Sequence, residues 1–239
     1  MAEIIGTIVT IQDFLSSAPK SVTIRGKEEV VFELPEGRKY VIPAFQREIR
    51  WSKENLNTLV QDIKDSNKFL GNVILAASDK NEFFIIDGQQ RISVLLMLIF
   101  YLNKKWGDKI QAARDFKACT LSIESFSAYE ALQEKEYDAA LLTDQERETD
   151  HYKQSVRYKE LWDFFAEIKE LQTVVDVRNF LTNMVRSTLN VILAERDNTN
   201  YNIDYFIDVN LKGVRLDTED IFKGYLFHMN NSPNTLKTG

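Results

Sequence analysis

Residues 83–100 read FFIIDGQQRISVLLMLIF. Four bulky apolar residues stop at Asp87, four more small or polar residues follow without spacing, and the apolar run resumes at Ile92. The first block has the length and the aromatic and β-branched content of a buried strand. The second is apolar nearly all round, as a helix covered on most sides must be. The chain therefore has to pass from one buried element to another within Asp87–Arg91, and that pentad is where polar groups meet the interior. Gly88 permits a tight turn and a close backbone approach. The first turn of the following helix presents N–H groups and the positive end of its dipole, which suits an anion. Arg91 could add a bidentate phosphate contact. Asp87 could hold a metal ion or polarise a water, and Gln89 and Gln90 could orient water, a ribose or a base edge. A purely structural role fits the same spacing, with Asp87 capping the helix and Arg91 pairing with a core carboxylate. The pentad is not a Walker A motif, because no Gly-Lys-Ser/Thr follows.

The surrounding pattern is a mixture of strands and helices. The segment VTIRGKEEVVFELPEGRKYVIPAFQ alternates and is punctuated by Gly26 and by Pro35-Glu36-Gly37, which predicts short strands joined by turns. SKENLNTLVQDIKDS places Leu56, Leu59, Val60 and Ile63 on one helical face behind Ser52 as N-cap. NVILAA and EFFII read as strands. Beyond about Trp106 the character shifts. Leu161, Phe165 and Ile168 share one helical face, as do Val174, Val177, Leu181 and Met184, and LNVILAER reads as a strand. Asp217 before TEDIFKGYLF, with Asp220 three residues on, is a weak capping box. The expected class is α+β, with a mixed α/β lobe over 1–110 and a mainly helical lobe over 111–239 packed on it.

Composition excludes several classes. At 239 residues and 44% hydrophobic, the chain can build a core without disulfide staples, and Cys119 as sole cysteine permits no internal disulfide and fits a reducing cytosol. A net charge of −6 means that nucleic-acid binding would need a local basic patch. The opening residues lack a basic signal-peptide region and no apolar run is long enough for a membrane span, so a cytoplasmic location is expected.

Two further clusters stand out. In IPAFQREIRW, Phe45 and Trp51 bracket Gln46, Arg47 and Arg50, an interleaving suited to base stacking or phosphate contact, although core aromatics beside surface arginines fit as well. In FIDVNLKGVRLDTEDIFKGYLF, Asn210, Gly213 and Asp220 punctuate the run and Lys223 follows Asp220 by one turn, which a turn and a capped helix would also explain.

Taken together, IPAFQREIRW, FLGNVIL, IIDGQQRISVLLML and the late Asn-x-x-Gly segment resemble, in order, the motifs of the N-terminal domain family of GmrSD type IV restriction endonucleases. That family is placed in the ParB and sulfiredoxin-like superfamily, and the resemblance runs from residue 38 to 227. It implies a small mixed sheet with helices, and a nucleotide-dependent sensor of bacterial defence against phage or modified DNA. It implies hydrolysis of a nucleoside triphosphate, often GTP, through Asp87, Gly88, Gln89, Gln90 and Arg91. Gln46 and Arg47, and later Asn210, Asp220 and Lys223, would contribute to the nucleotide site, with Asn210 or Asp220 expected close to Asp87–Arg91. The chemistry would need in-line water, charge neutralisation by Arg47 and Arg91, and Mg²⁺ near Asp87.

The chain departs from the family's full-length pattern. A His-Asn-His nuclease domain usually follows, yet the only histidines are His151 and His228, each in helical pattern, and Glu167–Lys169 lies within an amphipathic run. A nuclease domain or subunit is therefore expected as a partner, and the chain is either a piece of a longer protein or a stand-alone sensor. Two other classes compete. One is a non-catalytic ParB-like module that reads modified DNA through Phe45, Arg47, Arg50 and Trp51. The other is a protein–protein regulatory domain with a degenerate site, against which the intact Asp87, Gln90 and Arg91 argue.

Overall fold

A computed structural model describes residues 5–25, 29–42, 49–65, 67–77, 81–123, 126–127, 143, 145 and 150–194. At its centre is the strand–turn–helix unit that the apolar blocks require. Strand β6 (Glu82–Asp87) ends at Asp87, and helix α3 begins one residue later and runs over Gln89–Trp106. Every residue from Ile92 to Ile99 is buried, as are Tyr101 and Leu102, so α3 is the spine of the core.

The other elements in chain order are β1 (Ile5–Thr10), α1 (Ile11–Leu15), β2 (Lys20–Arg25), β3 (Glu29–Leu34), β4 (Lys39–Ile42), α2 (Lys53–Lys64) and β5 (Phe69–Ala77). After α3 come α4 (Gln111–Asp115), β7 (Thr120–Ile123), β8 (Phe126–Ser127), α5 (Asp150–Glu167), a 3₁₀ turn at Lys169–Leu171, α6 (Val174–Arg186) and β9 (Thr188–Ala194). Seven strands form one mixed sheet in the order β1-β9-β5-β6-β4-β7-β8, and β2 and β3 form a separate antiparallel pair. The fold is α+β. Strands β5 and β9 pair in parallel, as do β4 with both β6 and β7, while β1–β9, β5–β6 and β7–β8 are antiparallel.

The helices form where the pattern places them. Leu56, Leu59, Val60 and Ile63 of α2 are all buried, and Ser52 closes a capping box with Asn55. Leu161 and Phe165 of α5 are buried, and Ile168 is buried just beyond its end. Tyr101 of α3 meets the Trp162 and Phe165 rings of α5 at 4.9 and 5.7 Å. Val177, Leu181 and Met184 of α6 are buried, and Thr173 accepts from the Asp176 N–H at its start. On the sheet, Val9, Leu189, Val191, Val73 and Leu75 alternate into the same apolar cluster as these helices.

Among the described residues after residue 110, the two long helices are α5 and α6. Strands β7, β8 and β9 return to the sheet, so it draws strands from both sides of residue 110. Strand β1 and the β7–β8 pair are elements that the apolar pattern did not single out.

Among the described residues one charged side chain lies fully inside. Arg38 is 1% exposed and donates to the carbonyls of Ala18 (2.7 Å), Pro35 (3.0 Å), Phe14 (3.1 Å) and Asp13, and to the Tyr40 hydroxyl. Tyr40 in turn donates to the Phe14 carbonyl at 2.6 Å. Two of the accepting carbonyls, those of Asp13 and Phe14, end α1, so the C-terminal end of that helix faces the cation.

Candidate functional site

The turn between β6 and α3 depends on glycine. Gly88 has φ 89°, and a Cβ there would sit 3.0 Å from Val73 Cγ2 and 3.2 Å from the Asn72 carbonyl oxygen. Only glycine fits both the left-handed backbone and the close approach to β5. The Gly88 N–H donates to Asp87 Oδ1 at 2.8 Å, so the carboxylate is held at the mouth of the turn. Gly88 is itself the N-cap, no side chain caps α3, and the first turn carries no acidic residue. The capping role considered for Asp87 is therefore limited to the Gly88 N–H.

Arg91 occupies that first turn. Its Nη1 donates to the Asn72 carbonyl at 3.1 Å. A Cβ on Gly71 would lie 3.0–3.2 Å from the guanidinium, so the planar group lies against Gly71, whose φ is 111°. The β5–β9 register shifts between Phe69 and Asn72, which brackets this glycine. The Phe-Leu-Gly strand start and the Asp-Gly-Gln-Gln-Arg segment, 16 or more residues apart in sequence, thus meet at one place. Burial lowers the Arg91 pKa from its usual value and the Asp87 carboxylate opposes that shift. No ion pair with a core carboxylate is formed by Arg91 among the described residues; its fixed partner is a backbone carbonyl.

Gln89 is nearly buried, at 6% exposure. Gln90 reaches the IPAFQREIRW cluster, for its Oε1 accepts from the backbone N–H of Arg50 at 2.7 Å and of Trp51 at 3.2 Å. Arg50 and Trp51 therefore stand beside the start of α3. The Arg50 side chain is exposed, whereas Trp51 packs against the core cluster. The same stretch is held from the other side by Arg157 of α5, which donates from Nε to the Ile49 carbonyl (2.7 Å) and from Nη2 to the Trp51 carbonyl (3.2 Å). Arg157 also pairs with Glu160 one turn along α5. In sequence Arg157 is one charged residue of an amphipathic helix, and nothing there marks it.

The structure thus assembles Asp87, Gly88, Gln89, Gln90 and Arg91 with Gly71, Asn72, Arg50, Trp51 and Arg157. Phe45, Gln46, Arg47, Asn210, Asp220, Lys223 and His228 lie outside the described residues, and so does the expected approach of Asn210 or Asp220 to α3. His151 falls on the first turns of α5. Among the described residues no group of three or more His, Cys, Asp or Glu side chains could hold a metal ion, and no helix is long and apolar enough to cross a membrane.

A family model described as GmrSD restriction endonuclease, N-terminal domain, matches residues 29–227. No curated protein matches the chain.

Proposed function

This chain belongs to the family of GmrSD restriction endonuclease N-terminal domains, and from that premise we propose that it is a nucleotide-binding, NTP-hydrolysing sensor module that gates a nuclease domain or subunit. The observation that carries this reading is the start of α3. An 18-residue helix opens on a left-handed glycine without a side-chain cap, carries no acid in its first turn, and has Arg91 there. Unopposed helix N-termini of this kind favour phosphate. Among the described residues Arg91 makes one hydrogen bond, to Asn72, so the guanidinium fork retains donors for phosphate oxygens.

Roles follow from the positions. Arg91 neutralises charge on the transferring phosphoryl group, and Gln90, with its Oε1 fastened by two backbone amides, directs its side chain toward the attacking water. Asp87 suits Mg²⁺: Oδ1 is fixed by Gly88, and Oδ2 makes no hydrogen bond among the described residues. One carboxylate plus the substrate's own phosphates is a common way of binding this ion, which supplies charge neutralisation at those phosphates. Gln46, Arg47, Gly88, Gln89, Asn210, Asp220 and Lys223 complete the proposed nucleotide contacts. The proposal extends to a bacterial, cytoplasmic restriction system directed at modified phage DNA, because the family takes its description from restriction endonucleases.

The test is phosphate release from labelled GTP, ATP and CTP by the purified protein, with and without Mg²⁺. Hydrolysis is expected, and Arg91→Ala should lose on the order of 2–4 kcal/mol of transition-state stabilisation while remaining folded. A folded parent protein that neither binds nor hydrolyses any of the three refutes the reading. A second reading, DNA recognition by the segment around Arg50, is favoured by one observation, the exposure of that side chain beside the α3 site.

A further inference from the structure

We infer that Arg157 is a positioning residue that sets the orientation of Gln90 through the Ile49–Arg50 peptide and so ties helix α5 to the nucleotide site. The inference rests on the function proposed above. Its geometry is a relay across one peptide unit. Arg157 Nε donates to the Ile49 carbonyl at 2.7 Å, and the N–H of the same peptide, on Arg50, donates to Gln90 Oε1 at 2.7 Å. Trp51 is gripped at both of its backbone groups, which lie in successive peptide units: its carbonyl accepts from Arg157 Nη2 and its N–H donates to Gln90 Oε1, both at 3.2 Å, so this contact fixes the residue's position and the relay through one peptide is the Ile49–Arg50 one alone. A charged donor on a carbonyl polarises its peptide and strengthens the N–H on the far side. Two fork contacts from one planar guanidinium also fix direction, which a point charge would not.

The anchors at both ends are rigid. Gln90 stands in the first turn of α3, whose next turns are buried, and Tyr158, the neighbour of Arg157, is fully buried in α5. Ile49 is 2% exposed, so the start of the linking segment is set in the core. Glu160 takes the remaining Nη1 of Arg157 and keeps the fork turned toward Ile49 and Trp51. The carboxamide of Gln90 therefore has its oxygen committed to the segment, and its angle depends on where Arg157 holds the Ile49–Arg50 peptide and Trp51. Any shift of α5 relative to α3 would reach the site by this path, which is physically specific in a way that mere proximity is not.

The test uses Arg157→Gln, with Gln90→Ala and the double variant, in the full chain. Single-turnover and steady-state NTP hydrolysis are measured together with amide hydrogen exchange at Arg50 and Trp51. The expectation is a fall in kcat of about tenfold with KM moved less than about twofold, since residues acting as one unit are non-additive and Arg91 is untouched. In the Gln90→Ala background the same substitution should add no more than about twofold. Exchange at the two amides should accelerate with or without nucleotide. An undiminished effect in the Gln90→Ala background, or unchanged exchange at both amides, overturns the assignment. If Arg157→Gln does not fold, Arg157→Lys keeps the charge but cannot span both carbonyls, and is read in the same way. A parent protein that hydrolyses no NTP would refute the proposed function instead, and the exchange result alone would then decide whether Arg157 positions Gln90.

Discussion

Replacing Arg38 by methionine tests whether a buried cation without a carboxylate partner stabilises this fold. The guanidinium is 1% exposed and reaches four carbonyls and one hydroxyl. Methionine fills similar space but leaves the Ala18, Pro35 and Asp13 carbonyls without this donor, while Phe14 keeps its bond from Tyr40. An orphaned buried acceptor costs about 1–3 kcal/mol, so three would cost at most roughly 3–9 kcal/mol, because all three bonds are part-buried and water can replace some of the lost donation. Against this, methionine removes the desolvation of a charge, which is worth several kcal/mol. The net expectation is a loss of about 3–4 kcal/mol. In a chain of this length each kcal/mol moves Tm by about 2–4 °C, so Tm should fall by about 10 °C. Arg38→Lys should lie between, because an ammonium offers three donors at one point and cannot span carbonyls on both sides of the fork. Thermal melts and urea titration of the three proteins measure it. If Arg38→Met melts within about 2 °C of the parent, with an unchanged urea midpoint, the carbonyl cage adds nothing net and the argument from unsatisfied acceptors fails.

Three other outcomes are expected. Gly88→Ala forces a Cβ into the left-handed region and against the Asn72 oxygen and Val73; it should lower stability by about 2 kcal/mol and weaken nucleotide binding, and a variant matching the parent in both melt and titration would contradict the turn geometry. Burial pushes the Cys119 thiol up to about 11, so the native protein should resist thiol reagents at pH 8 and react when unfolded. Because the folded pKa is the higher one, the thiol leaves stability flat below the unfolded value of about 8.5 and erodes it as pH rises from there through about 11; a Cys119→Ala protein losing stability over that window as steeply as the parent would show that other groups account for the loss. Arg50→Glu should weaken binding to duplex DNA and lower the salt slope by about one, and either undetectable binding by the parent or an unmoved slope would make the segment structural.

Local chemistry was legible from the residues alone. Ser52 and the Leu56, Leu59, Val60, Ile63 stripe define α2 because a cap and a 3.6-residue period are properties of neighbouring residues. The Asp87-Gly88 turn into α3 is likewise forced by the apolar blocks on either side of it. What the tertiary structure decided is how distant pieces meet. Gly71 reads in sequence as a strand glycine, and only the fold shows that Arg91 lies against it. Arg38 reads as a charge beside a turn, yet the end of α1 closes over it. Gln90 reads as one of two equivalent glutamines until Arg50 and Trp51, some 40 residues earlier, are seen to hold its oxygen. Arg157 lies 108 residues from the carbonyl of Ile49 that it binds. Periodicity records which face of an element is apolar, a preference set over a few residues. Hydrogen bonds across such separations depend on strand order and helix placement, which no short window of sequence contains.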